Sequence, residues 1–255
     1  MSRSEDVELL RLATDAAEAA GTWLAEHQQG VAVTATKSSL TDIVTAADTT
    51  AEEIIRATVA RARPRDSFLG EESTARQGSS DVRWIVDPID GTVNYWYGLP
   101  TWSVSIAVER GGAVVAGVVL TPMLRRRYTA TTGDAQCNGV PISTSGCVDL
   151  SQALLATGFS YDHRERARQG TALAQVLPRV RDIRRLGSAA LDLCLLAAGE
   201  VDLYFERGLA EWDRAAGSFI ASQAGATVAQ VGTLTLGSAP ALFDDFAALL
   251  DSAEA

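Results

Sequence analysis

The 255-residue chain is poor in the residues from which much enzyme chemistry is built. It carries two histidines, three cysteines and a single lysine, Lys37. Cys137, Cys147 and Cys194 are odd in number and lack CxxC or Cys/His ligand spacing, so neither a disulfide framework nor a zinc site is supported. His27 and His163 both sit in polar surroundings, which leaves carboxylates, hydroxyls or a bound ion to carry any reaction. Long apolar runs are missing too. The longest, Ala113 to Leu120, contains Gly117 and falls far short of the ~20 residues of a membrane span. The N-terminal Ser4-Glu5-Asp6 is acidic where a signal peptide is basic. The expectation is a soluble, cytoplasmic protein with no membrane partner.

What the chain has in excess is negative charge. Its formal net charge is −10, with 47% hydrophobic and 21% charged residues, an ordinary globular composition. That field opposes nucleic acid, which binds clustered Lys and Arg. The basic residues are almost all Arg, in three short stretches at 61–65, 125–127 and 181–185 that read as solvated surface or subunit contacts.

Hydrophobic periodicity predicts a helix over residues 4–28 and a second from about Asp48 to Arg63, ended by Pro64. Short runs then read as strands: Ser67 to Gly70, Arg83 to Val86, Ser103 to Glu109, Ala113 to Leu120 and Arg125 to Ala130. Gly111-Gly112 and Asn138-Gly139 are turn signals between such runs. Around Pro141 to Ser151 the composition shifts to Ser, Thr and Gly, the expected boundary between halves 1–142 and 143–255. Beyond it helices and strands alternate, and the whole reads as a layered α/β or α+β protein.

The most informative stretch is Asp87-Pro88-Ile89-Asp90-Gly91-Thr92-Val93-Asn94, which follows the apolar run Trp84-Ile85-Val86. The C-terminal end of a strand is where α/β sheets build their sites. Pro88 is expected to force a turn directly after Asp87, bringing the Asp87 and Asp90 carboxylates together and freeing the Ile89 carbonyl. Two carboxylates and a carbonyl make a hard-oxygen cluster suited to Mg²⁺. Gly91 and Thr92 follow at a turn or helix start, with N–H groups for an anion. Further acidic positions stand in Gly70-Glu71-Glu72-Ser73, in Trp212-Asp213-Arg214-Ala215-Ala216-Gly217 and in the stretch with Asp42 and Asp48. Taken singly, Asp213 reads better as a plain N-cap, and Asp42 and Asp48 are also explicable as caps.

In combination, Lys37, Asp42, Asp48, the GEES at Glu71, DPIDGTVN and WDRAAG resemble the inositol monophosphatase family of Mg²⁺-dependent, lithium-sensitive phosphatases. The resemblance implies an αβαβα sandwich of the inositol monophosphatase and fructose-1,6-bisphosphatase type, commonly a homodimer. It implies two to three Mg²⁺ ions: Glu71, Asp87 and the Ile89 carbonyl hold the first, Asp87, Asp90 and Asp213 the second, and Glu71 helps a looser third. It gives Thr92 and Asp48 the task of orienting and deprotonating the attacking water, with Glu71 also in the catalytic set. Phosphate would meet Asp90, Gly91 and Thr92, and inositol would meet Glu206 and the segment at Ala189.

The implied reaction is hydrolysis of myo-inositol monophosphate by direct attack of water. Alternatives are another small phosphate ester (histidinol phosphate, a sugar phosphate or a nucleotide 3′-phosphate) or a mainly regulatory binding protein on the same fold. Two departures from the family pattern stand out, a short Gly225 to Ala239 stretch and a trimmed Thr131 to Gln136 loop. Tyr95-Trp96-Tyr97 reads as a packed turn or dimer contact, or as the pocket mouth.

Overall fold

Helix α1 (Arg3–His27) in the computed structural model, which describes residues 3–29, 33–36 and 43–254, buries Leu9, Ala13, Ala16, Ala17, Ala20 and Leu24. These recur at three- and four-residue spacing, and the many alanines let the helix lie close to the sheet beneath it. Strands β1 (Val33–Thr36) and β2 (Ile43–Thr45) pair antiparallel and lead into α2 (Ala46–Ala62). The second helix begins two residues before Asp48, because Thr45 is its N-cap and Asp48, three positions on, closes a capping box with it.

A seven-stranded sheet follows, in the order β3 (Ser67–Gly70), β4 (Val82–Asp90), β5 (Ser103–Arg110), β6 (Ala113–Thr121), β7 (Arg126–Thr131), β8 (Asp134–Cys137) and β9 (Val140–Pro141). Only β3 and β4 run parallel; the other neighbours are antiparallel. Gly111-Gly112 and Asn138-Gly139 make the expected turns, all four with positive φ. Between β4 and β5 lies one short helix, α3 (Thr92–Tyr97).

The later residues build a second sheet of five strands, ordered β11-β10-β12-β14-β13. These are β10 (Leu154–Thr157), β11 (Asp182–Arg184), β12 (Leu203–Arg207), β13 (Thr227–Val231) and β14 (Leu234–Ser238). Four helices accompany them: α4 (His163–Val176), α5 (Ala189–Ala197), α6 (Glu211–Gln223) and α7 (Phe243–Glu254). Helix α4 starts at His163 because Asp162 accepts from the Arg164 and Glu165 N–H groups and caps a polar helix that buries only Ala172 and Val176. The β13–β14 hairpin lies in the stretch that read as merely short.

Three apolar clusters stack these parts. One joins α1 and α2 to the first sheet, one fills the space between the sheets around α5 and α6, and one lies under α4 and α7. The order α1/α2, sheet, α5/α6, sheet, α4/α7 is the expected αβαβα sandwich. Every residue of α5 is buried, as a helix clasped between two sheets must be. Among the described residues no helix is long and apolar enough to cross a membrane.

Candidate active site

The site grows from the end of β4. The strand does not turn at Pro88: it continues to Asp90, and only its pairing with β5 is irregular between Asp87 and Asp90. Where the ladder is interrupted, the N–H that proline lacks is not missed, so the chain keeps its direction. The Asp87 carboxylate folds back to accept from the Ile89 N–H at 3.0 Å. The turn comes at Gly91, whose φ of 95° places it in the left-handed region and lets α3 start at Thr92. The Ile89 carbonyl lies within 3.0 Å of Thr92 Oγ1, so it is engaged rather than free.

Asp48 is fully buried and faces the same point from α2. Its Oδ2 accepts from the Thr45 N–H at 2.8 Å and from Thr45 Oγ1 at 2.7 Å, while Oδ1 lies 3.0 Å from Thr92 Oγ1. Thr92 has one hydroxyl proton and two acceptors, Asp48 and the Ile89 carbonyl. Burial pushes the Asp48 carboxyl up; hydrogen bonds from Thr45 and Thr92 pull it back in part, and the charge of Glu71 adds to the rise.

Asp90 reaches toward the other sheet. Its Oδ2 accepts from Ser188 Oγ at 2.6 Å and from the Ala190 N–H at 2.7 Å, at the start of α5. Asp213 is not the N-cap of α6 but its third residue, and accepts from the Ala210 N–H at 2.6 Å. Glu206, on β12, takes a hydrogen bond from the Tyr204 hydroxyl at 2.9 Å and lies flat against Gly158, where an added Cβ would stand 2.0 Å from its Oε1.

These elements enclose a cavity of about 110 Å³. Glu71, Asp87, Ile89, Asp90, Gly91, Thr92, Ala189, Glu206 and Asp213 all line it. Asp48 stands behind Thr92. Lys37 and Asp42 lie outside the described residues. Tyr95, by contrast, is core: it is fully buried and donates to the Leu24 carbonyl, while Trp96 and Tyr97 are exposed and do not line the cavity.

Like charges crowd this space. Burial pushes the Asp87 carboxyl well up, and Glu71, Asp90 and Asp213 push it further; Glu71 and Asp87 also share a hydrogen bond. Asp90 is pushed up to about 7 by burial, against the Ser188 and Ala190 donors. Glu206 is likewise raised to about 7 by burial, opposed by Tyr204 and Arg185.

Among the described residues no three His, Cys, Asp or Glu side chains form a ready-made metal cage. The donor set nevertheless fits a hard divalent cation. Oxygen ligands only, four mutually repelling carboxylates and a hydrogen-bonded Glu71–Asp87 pair make a wall that a cation would neutralise. The sequence signal for Asp192 and Arg185, which also line the cavity, was missed. Asp192 lies inside an apolar helical run, and Arg185 in a stretch read as surface; it is exposed and lines the cavity.

Comparison with known proteins matches residues 5–238 to the model of the inositol monophosphatase family. The inositol-1-monophosphatase SuhB of Mycobacterium tuberculosis is 44% identical over 232 residues, covering 84% of this chain and 80% of its own. The Nus factor SuhB of Escherichia coli is 39% identical over 224 residues, covering 86% and 84%. Among solved structures, the extragenic suppressor protein SuhB of Bartonella henselae superposes with a TM-score of 0.90 at 33% identity, covering 95% of this chain and 98% of that one.

Proposed function

We propose that this chain, which belongs to the inositol monophosphatase family, hydrolyses myo-inositol monophosphate to inositol and phosphate by direct attack of water. The observation that carries the reading is the convergence of Glu71, Asp87, Asp90 and Asp213 with Thr92 and Glu206 on one small cavity. Bound divalent ions, which we take to be two to three Mg²⁺, supply charge that offsets these carboxylates, draws in the phosphate and lowers the pKa of water. Glu71, Asp87, the Ile89 carbonyl, Asp90 and Asp213 are the residues to hold them.

Asp48 and Thr92 handle the proton. The Thr92 hydroxyl donates to Asp48 Oδ1 across 3.0 Å and keeps a lone pair for a water proton. A proton leaving water then passes through the hydroxyl to Asp48, which burial has made more basic. The Gly91 and Thr92 N–H groups orient the phosphate, and Ala189 and Glu206 border its organic part. The two halves, 1–142 and 143–255, divide the work: the first supplies most of the acidic set and the second supplies Asp213 and the organic end. A homodimer, lithium sensitivity and a cytoplasmic location belong to the same reading.

Phosphate release from a panel of esters, with and without millimolar Mg²⁺, tests this. Metal-dependent turnover led by inositol monophosphate is expected. Better turnover of histidinol phosphate, a sugar phosphate or a nucleotide 3′-phosphate would replace the substrate and keep the enzyme class. The Escherichia coli relative's name as a Nus factor supports a second reading, a regulatory binding protein. A stoichiometric macromolecular partner together with no hydrolysis in the panel is the result that would favour it.

A further inference from the structure

We infer that Asp192 is a specificity-determining residue whose carboxyl group hydrogen-bonds a hydroxyl of the substrate's polyol portion, next to Glu206. This rests on the phosphatase reading and extends it to a residue in a different element, the buried helix α5.

Asp192 is the single charged side chain in α5, where its eight companions are Ala, Leu or Cys and all are buried. A carboxyl group in such a place costs free energy unless something pairs with it. Among the described residues its Oδ1 has no hydrogen-bond partner, and the side chain is 1% exposed. Helix capping does not account for it. Ser188 is the N-cap, Ser188 Oγ accepts from the Leu191 N–H, and Asp90 takes the Ala190 N–H.

What Asp192 does reach is the cavity, which it lines together with Glu206, Asp90 and Arg185. Burial pushes its carboxyl well up, Glu206 and Asp90 push it further, and Arg185 pulls it down. A carboxyl group accepts from a hydroxyl and, when protonated, also donates to one. A hydroxyl both donates and accepts. A second anionic group on the substrate would meet Glu206 and Asp192 directly, and a cationic one would have to pass Arg185. A polyol suits all three side chains, and it supplies the partner that the protein leaves out.

The test compares kcat/KM for myo-inositol 1-phosphate with that for p-nitrophenyl phosphate, which has no hydroxyl to read, in the wild type and in Asp192→Ala, Asp192→Leu and Asp192→Asn. Product inhibition by myo-inositol is measured alongside. The ratio of the two kcat/KM values is expected to fall about tenfold or more in the Ala and Leu variants, the scale of a lost hydrogen bond to a substrate hydroxyl. Myo-inositol inhibition should weaken in the same proportion. Asn, which retains a donor and an acceptor, should restore most of both; it also stands in where Ala or Leu fails to fold, since a restored ratio then supports the inference and an Asn ratio as low as tenfold down opposes it. A proportional loss on both substrates, or no change in the ratio, overturns the inference while leaving the phosphatase reading intact. A wild type that hydrolyses neither ester removes the phosphatase reading, and the assignment of Asp192 with it.

Discussion

Asp90 Oδ2 accepts the Ser188 hydroxyl proton at 2.6 Å, tying the end of the seven-stranded sheet to the start of the helix between the two sheets. Ser188 Oγ has spent its proton on Asp90, so Ser103 Oγ, 3.1 Å away, and the Leu191 N–H donate to it. One hydroxyl therefore caps α5, orients Asp90 and joins β5 to both. Ser188→Ala removes the cap and leaves buried Ser103 short of a partner. The expected loss is about 1–3 kcal/mol of stability, or roughly 2–10 °C in melting temperature. Thermal melting checks it, and a variant as stable as the wild type would show the junction to be held by apolar packing alone.

Thr92→Ala takes away the hydroxyl between water and Asp48. A fall in kcat of about 10²–10⁴-fold is expected for losing a positioned proton acceptor, with a smaller effect on KM. Thr92→Ser should recover much of the rate. Steady-state kinetics on the three proteins decide it, and a change confined to KM contradicts the proton role.

Asp87→Asn separates stability from activity. Asp87 is buried among Glu71, Asp90 and Asp213, so neutralising it relieves repulsion in the metal-free protein. The variant should melt at or above the wild-type temperature in chelator, yet gain little from added Mg²⁺, whereas the wild type gains stability by mass action. Activity should drop about a thousandfold, corresponding to ~4 kcal/mol of transition-state stabilisation. An equal Mg²⁺-dependent melting shift in both proteins would remove Asp87 from the ligand set.

Asp66, away from the cavity, governs acid stability. Burial pushes its carboxyl up, but hydrogen bonds from Arg63, Ser80 and Trp84 together outweigh that and hold it below the ordinary carboxylate value. Arg63 Nε and Trp84 Nε1 both donate to Oδ2, at 2.8 and 2.9 Å, and Ser80 Oγ donates to Oδ1 at 2.7 Å. A carboxyl lowered on folding contributes stability above its unfolded value, about 3.9, and loses it as pH falls through the folded value. Asp66→Ala should cost about 2–3 kcal/mol at pH 7, leaving the buried Trp84 N–H unpaired. The gap to wild type should narrow below about pH 4, as protonation removes the same charge from the wild type. Urea titrations across pH 3 to 7 measure it, and a constant gap would mean that the aspartate acts through shape rather than charge.

Much of this was legible in the chain itself where local patterns suffice. The Gly111-Gly112 turn and the Ser67–Gly70 strand follow from composition over a few residues. Harder cases were those in which a distant contact overrides a local rule. Pro88 looks like a strand breaker, but the irregular pairing with β5 absorbs it. Asp213 looks like an N-cap, yet it is the third helical residue with its carboxylate turned back to Ala210. Asp192 looks like a tolerated polar residue in a core helix, and nothing in its neighbours' identity tells that it borders a cavity.

The order and kind of the acidic residues, and the turn at Gly91 that ends their strand, are properties of the sequence alone, because they depend on alternation and glycine over short spans. Their meeting is not. Residues as far apart as Glu71 and Asp213 share a cavity because α5 and α6 are clasped between two sheets, and that packing depends on buried surfaces whose partners are distant in the chain. The tertiary structure decided which carboxylates are crowded together, which of them is spent on holding the halves in register, and which one keeps an oxygen unpaired among the described residues.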